Sequence, residues 1–265
     1  MGIKFCSLAS GSSGNCQFIG NNNSKLLIDA GLTGKYITNA LNEIEEDPNK
    51  INGLLVTHEH SDHIKGVGVI MRKYNIPLYV HYKTWEAMKD KIGSVKDKEI
   101  HLFESEDSFC VGDIEVIPFK VSHDAVYPLG YCISDKDIKV GMATDLGYMT
   151  DSVLKQLMDC KLVLLESNHD EEMVKCGKYP WFLKKRILGE QGHISNNVAG
   201  ETATKLIKNG NLNNILLGHL SKENNFPELA YETVKNILED NSISVENDVL
   251  LDMTYRDKIS RVYNL

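Results

Sequence analysis

The feature that most constrains this chain is the run His58-Glu59-His60-Ser61-Asp62-His63, which follows directly on the apolar stretch Ile51–Thr57. Three histidines and an aspartate fall within six residues at the end of what reads as a buried strand. His58 and His60 are two apart, so in an extended segment they project from the same side. Asp62 and His63 lie where the chain turns into the next helix and can reach a second, adjacent position. Imidazoles crowded in this way would repel one another once protonated unless a metal held them. Nitrogen and oxygen donors, with no cysteine nearby, suit Zn, Mn or Fe rather than a structural thiolate zinc. Cys6, Cys16, Cys110, Cys132, Cys160 and Cys176 are scattered without a C-x-x-C pair and read as reduced structural thiols.

The rest of the chain must form a scaffold for that strand end. Apolar periodicity predicts strands at Ile3–Leu8, Cys16–Ile19, Lys25–Asp29, Ile51–Thr57 and Pro77–Val80. Helices are expected over Thr33–Glu46, through Met71 and from about Thr84. Further strands are read at Ile114–Val121, Leu129–Ser134, Ile138–Ala143, Leu162–Leu165 and Ile215–Leu217. Helices are read at Asp151–Met158, through Lys175, at Pro180–Leu188, from a cap at Ser195 or Asn196 to Lys208, and from Pro227 onward, with one last strand in the tail. Without repeats or a linker-like tract, the expectation is one α+β domain over residues 1–265. No apolar run approaches the roughly 20 residues of a membrane span. The opening MGIKFCSLASGSSGN has no basic segment followed by a long apolar one, so a cytoplasmic protein is expected.

The HxHxDH pattern at a strand end resembles the metallo-β-lactamase superfamily. The remaining ligands of that family match His123 in VSHDA, Asp145 in ATDLG and His219 in LLGHLS, each just beyond an apolar strand. The resemblance implies two mixed sheets between outer helices, a four-layer αβ/βα sandwich. It also implies two divalent cations, Zn, Mn or Fe. One would sit on His58, His60 and His123, the other on Asp62, His63 and His219, with Asp145 bridging. Asp29 matches an aspartate behind the ligands that orients the histidines. The implied reaction is hydrolysis by a hydroxide held between the metals, with Asp62 taking part.

Accessory residues bear on the substrate. His193, in GHISN just before a helix, is not needed by the metals. A histidine followed two residues later by Ser or Thr is found at this place in phosphodiesterases of the superfamily, and an acid there would serve a poor alkoxide leaving group. A capping turn with a surface histidine is the plainer reading. Upstream, Lys178-Tyr179-Pro180-Trp181-Phe182-Leu183-Lys184-Lys185-Arg186 is the densest basic and aromatic segment. It suits a nucleic-acid substrate, or equally an amphipathic helix with a buried Trp181. Candidate substrate contacts are Ser12, Ser13 and Asn15 in the SGSSGN loop, Ser167 and Asn168 in LLESNHD, Ser195, and Lys184, Lys185 and Arg186. His169 reads as a cleft residue or a surface one; His81 and His101 read as structural.

Taken jointly, SGSSGN, HEHSDH, ATDLG, LLESNHD, GHISN and LGHLS resemble the YycJ/WalJ group of bacterial proteins of this superfamily. That resemblance implies a metal-dependent exonuclease acting 5′ to 3′ on DNA. Only 22 residues separate His123 from Asp145 and 74 separate Asp145 from His219. There is no room for the substrate arm of tRNA-processing ribonucleases or the inserted domain of β-CASP nucleases. Two other readings stay open: a small-molecule thioester or lactone hydrolase, and a metal-stabilised binding module. With 29 Lys+Arg against 37 Asp+Glu the net charge is −8, which excludes a generic nucleic-acid coat protein. Two divalent cations would reverse the sign inside the cleft, so binding to nucleic acid is expected to depend on metal. Oligomeric state is left open.

Overall fold

Strands such as LVLLE and NILLG are apolar without alternation, so both of their faces need cover. The computed structural model describes residues 2–96 and 99–265 and supplies that cover with four layers. The chain runs through β1 (Lys4–Ala9), β2 (Cys16–Gly20), β3 (Lys25–Ile28), α1 (Gly34–Glu43), β4 (Gly53–Leu55), α2 (Ser61–Ile64), α3 (Val67–Tyr74), β5 (Leu78–His81), α4 (Tyr82–Met88) and β6 (Ile100–Phe103). It continues through β7 (Phe109–Val111), β8 (Ile114–Lys120), β9 (Leu129–Asp135), β10 (Ile138–Ala143), α5 (Asp151–Leu157), β11 (Leu162–Glu166), α6 (Glu171–Cys176) and α7 (Trp181–Ile187). The last elements are α8 (Asn196–Asn209), β12 (Asn214–Gly218), α9 (Pro227–Asp240), β13 (Leu250–Met253) and β14 (Tyr263–Asn264).

Two seven-stranded sheets result, ordered β14-β1-β2-β3-β4-β5-β6 and β13-β12-β11-β10-β9-β8-β7. In the first, β14, β1, β2 and β3 pair antiparallel and β3 to β6 parallel. The second repeats this plan, antiparallel over β7 to β10 and parallel over β10 to β13. Successive side chains explain the uninterrupted apolar runs. Leu162, Leu164 and Leu216 enter the core between the sheets with Phe5, Ile28 and Tyr131. Val163, Leu165 and Leu217 face outward onto Ala199, Ala203, Val234 and Leu238 of α8 and α9. The first sheet does the same beneath Ile37, Leu41 and Ile70 of α1 and α3. This is the expected αβ/βα sandwich.

Local signals fell where anticipated at the caps. Thr33 caps α1, Ser195 caps α8 by accepting from Val198 N–H, and Pro227 begins α9. Three expectations needed revision. The helix read through Met71 is two short helices, broken at Lys65–Gly66, where Gly66 packs against the Leu32 carbonyl so closely that a Cβ would meet it at 2.2 Å. The single tail strand is two strands on different sheets, β13 beside β12 and β14 beside β1. Strands β6 and β7, unread in the sequence, are edge strands of four and three residues, IHLF and FCV, too short to set up a readable periodicity.

Candidate metal centre

Every predicted ligand lies just past the carboxyl end of a strand, on one edge of the sandwich. His58 and His60 follow β4, and His60 is the N-cap of α2, which places Asp62 and His63 in its first turn. His123, Asp145 and His219 follow β8, β10 and β12. Their nitrogen and oxygen atoms fall into overlapping groups with donors within 4.8 Å of one another: His58/His63/Asp145, Asp145/His219 with Glu166 and His193, and the two expected sets, His58/His60/His123 and Asp62/His63/His219. Asp145 lies between them, its Oδ2 3.4 Å from His63 Nε2 and its Oδ1 3.3 Å from His219 Nε2 and 3.8 Å from His123 Nε2. The set fits cations: His219 Nε2 and Asp145 Oδ2 are buried without a hydrogen-bond partner, an arrangement that is costly unless something positive sits between them.

In His58, His63, His123 and His219 the other nitrogen is pinned from behind, which fixes ring orientation and leaves the facing nitrogen as the donor, whereas the Nδ1 of His60 meets His58 Nε2 at 3.1 Å. His63 Nδ1 donates to Asp29 Oδ2 at 2.7 Å, His219 Nδ1 to Glu166 Oε1 at 2.8 Å, and His123 Nδ1 to the Gly192 carbonyl at 3.1 Å. Asp29 also accepts from the backbone N–H and hydroxyl of Thr57, whose Oγ1 lies 3.0 Å from His58 Nδ1. The ligand loop is stitched down by Asn15 N–H donating to the Asp62 carbonyl and Ala30 N–H to the His63 carbonyl. Gly31 permits this approach, since a Cβ there would meet the Asp62 carbonyl at 1.6 Å. Asp29, Asp145 and His219 all hold positive φ, between 55° and 60°, a conformation non-glycine residues adopt at about 1–3 kcal/mol where function demands it.

Glu166, the acid of LLESNHD, is the functional residue to which reading the sequence gave no chemical role. It ends β11, is fully buried, and accepts from His219 Nδ1, from His193 Nδ1 at 2.8 Å, and from the backbone N–H groups of Asp145, Leu146 and Ile194. A carboxylate closing the run LVLLE was its signal. His193 rests against the cluster, its ring centroid 5.0 Å from His123 and 5.2 Å from His219. His193 and Asp62 keep 20% and 22% of their side chains exposed, so a ligand from solvent meets them first.

Ser12, Asn168, Arg186 and His193 line one cleft of about 150 Å³, together with Tyr179 and Ser221. Asn168 also donates to the His219 carbonyl, and Arg186 pairs with Asp124. Asn15 abuts the ligands instead, its Nδ2 3.1 Å from His63 Nε2. Ser13 and Lys185 are exposed nearby on the chain, and the Lys184 ammonium donates to the Lys175 carbonyl. Two candidate contacts are corrected: Ser167 is fully buried with its hydroxyl given to Asn196, and Ser195 is the buried α8 cap that donates to Glu171. His169 is buried rather than superficial, which pushes it down to about 4. His81 stacks on Tyr127 and His101 on Tyr79, as structural residues do.

Without metal the cluster balances its own charge. Burial, then the rings of His63 and His123, hold His58 well below the usual histidine range, and burial lowers His123 too. Burial acts the same way on His63 and His219 but loses to carboxylates: Asp29 and Asp145 raise His63, and Asp145, Asp62 and Glu166 push His219 up to about 10. Raised groups contribute stability in full below their unfolded value near 6.5 and lose it as pH rises toward the folded value; the two lowered histidines contribute above about 6.5 and lose it as pH falls. The metal-free protein is therefore expected to have its highest Tm near pH 6.5. Cations displace the protons of His63 and His219, so the alkaline decline should vanish on loading. Thermal melts across this range, with chelator and with Zn, check it; a metal-free Tm still climbing from pH 6.5 to 9 would contradict the charge assignment.

A family model described as a β-lactamase superfamily domain matches residues 24–213. The chain is 42% identical over 245 residues to exodeoxyribonuclease YycJ of Bacillus anthracis, covering 92% of each chain. It is 44% identical over 250 residues to exodeoxyribonuclease WalJ of Streptococcus pneumoniae, covering 94% of this chain and 93% of that one. Among solved structures, the metallo-β-lactamase fold protein YhfI of Bacillus subtilis superposes over the whole of both chains with a TM-score of 0.75 at 16% identity, a likeness of fold.

Proposed function

The chain belongs to the β-lactamase superfamily, and on that premise we propose that it is a metal-dependent exodeoxyribonuclease that removes nucleotides from a DNA end. The observation that carries the reading is His193. It is not one of the seven proposed ligands although it lies among Asp145, Glu166 and His219, is anchored to Glu166, and opens onto a cleft with Arg186, Ser12 and Asn168. Two divalent cations bound by the seven ligands would supply Lewis acidity to a phosphate and lower the pKa of a water between them.

The chain's own groups do the rest. Arg186, Lys184 and Lys185 draw the DNA backbone to the rim, and Ser12 and Asn168 offer hydrogen bonds to the phosphate. Asp62 and Asp145 are held ionised by the imidazoles around them although burial opposes it, so both face the reacting centre as acceptors. His193 gives its Nδ1–H to Glu166, which fixes the ring and turns Nε2 toward the leaving oxygen, to which it passes a proton.

Incubation of the protein with end-labelled DNA and Mn or Zn should release nucleotides, and His58→Ala should not. DNA left intact across metals by both proteins overturns the proposal; rapid thioester or lactone turnover instead selects the small-molecule reading. The same digests read the direction, expected as 5′ to 3′. His193→Ala should slow cleavage of an alkoxide diester by about 10²–10⁴-fold, yet barely slow an activated aryl diester whose leaving group needs no proton. Equal losses on both substrates remove His193 from the acid role.

A further inference from the structure

Helix α7 departs from how this fold treats its other helices. Not one of its side chains is fully buried. Leu183, Arg186 and Ile187, spaced i, i+3 and i+4, face the cleft beside His193. The remaining turns of the helix present Trp181 and Phe182 to solvent, 77% and 74% exposed, with Leu188 at 40%. Two adjacent aromatic rings so bare are unusual on a surface, and they stand on the same helix whose Leu183, Arg186 and Ile187 line the cleft.

Their surroundings decide the occupant. Lys178, Lys184, Lys185 and Arg186 lie within a few residues, in a chain whose net charge is −8. Glu171 and Glu172 of neighbouring α6 share the single charge of Lys175, and Arg186 pairs with Asp124, so the positive charge beside the rings comes from Lys178, Lys184 and Lys185. The surface is thus two apolar rings beside three lysines, on a helix that also lines the active-site cleft. Rings for bases and cations for phosphates are the two parts of a single-strand binding surface. A paired base keeps its face inside the duplex; only an unpaired one can stack on a protein ring.

We propose that Trp181 and Phe182 form a stacking platform that grips an unpaired strand of the DNA substrate beside the cleft, and so favours frayed or single-stranded ends over blunt duplex. This deepens the nuclease reading and rests on it. The binding test uses metal-loaded Trp85→Phe protein, in which Trp181 is the sole tryptophan, and phosphorothioate DNA, which resists cleavage; Trp85 is partly buried against the core beneath α4. An unpaired oligonucleotide should quench the Trp181 emission, and a blunt duplex of equal length should not.

In the metal-loaded protein, the Trp181→Ala, Phe182→Ala double variant should raise KM for tailed DNA by about tenfold or more. Its kcat and its turnover of a small aryl phosphodiester should stay unchanged. Because both rings are solvent-exposed, loss of the fold is not expected, and a matching melt verifies this. If wild type digests DNA and the double variant does so with unaltered KM, the platform is overturned and the nuclease reading stands. The same holds if the substitutions change only sedimentation, which would make the face a contact between copies of this chain. If wild type digests no DNA, both fall together.

Discussion

Asp145→Asn should end DNA degradation without unfolding the protein. The amide keeps the shape of the side chain and tolerates the left-handed backbone at φ 58°, so the loop is undisturbed. What is lost is the negative charge that His63, His123 and His219 all approach within 4 Å. Removing an outer partner of a ligand usually costs about 10–100-fold in affinity or activity. Loss of a carboxylate between both ligand groups should exceed that and lower the bound metal per chain. An independent readout is available without metal. Asp145 is the largest favourable charge on His219 and among the largest on His63, so the alkaline fall in Tm should flatten in the variant. Unchanged metal content together with an unchanged alkaline slope would remove Asp145 from the bridging position.

Glu166→Ala should show the largest effect on the fold itself. One buried carboxylate there accepts from two imidazoles and three backbone N–H groups. Burial alone would raise its pKa, but His193 and His219 hold it below the usual carboxylate range. Its contribution to stability is therefore complete above about pH 4.5 and lost as pH falls through the depressed value. Stripping one partner from a buried charged network costs about 3–5 kcal/mol, and five donors are orphaned at once. Denaturant melts of metal-free protein should register that loss. Metal titration should show His219 weakened by a further ~10–100-fold. Glu166→Gln serves if the alanine variant does not fold: its amide nitrogen must face some of those donors, so it should melt between the other two. Wild-type stability in Glu166→Gln would refute the network.

The residues proposed as metal ligands could be picked out because their spacing is local or tied to strand ends. HEHSDH is contiguous, and His123, Asp145 and His219 each terminate an apolar run, a position that needs no tertiary knowledge to find. Asp29 was found by the same sign, an acid ending LLID. Glu166 ends LVLLE in the same way, yet its role depends on which donors converge on it across β10, β12 and the loop to α8, and that convergence is tertiary. Ser167 and Ser195 failed as substrate contacts for the converse reason: the residues that absorb their hydroxyls, Asn196 and Glu171, are distant in sequence. Trp181 read equally well as buried or exposed, since helical spacing gives the faces of α7 but not which neighbour covers them. Strands β6 and β7 escaped because runs of four and three residues are too short for a period to show.

The division of the ligands between the two sheets has a consequence for the life of the molecule. His58, His60, Asp62 and His63 belong to the first half, and His123, Asp145 and His219 to the second. All six cysteines are free, so no covalent bridge ties the halves. Each cation would then be a removable cross-link closing a long loop, as a disulfide does in a secreted domain. Metal scarcity in a cell would act twice on such a protein. It would silence the site, and it would loosen the seam on which resistance to degradation depends.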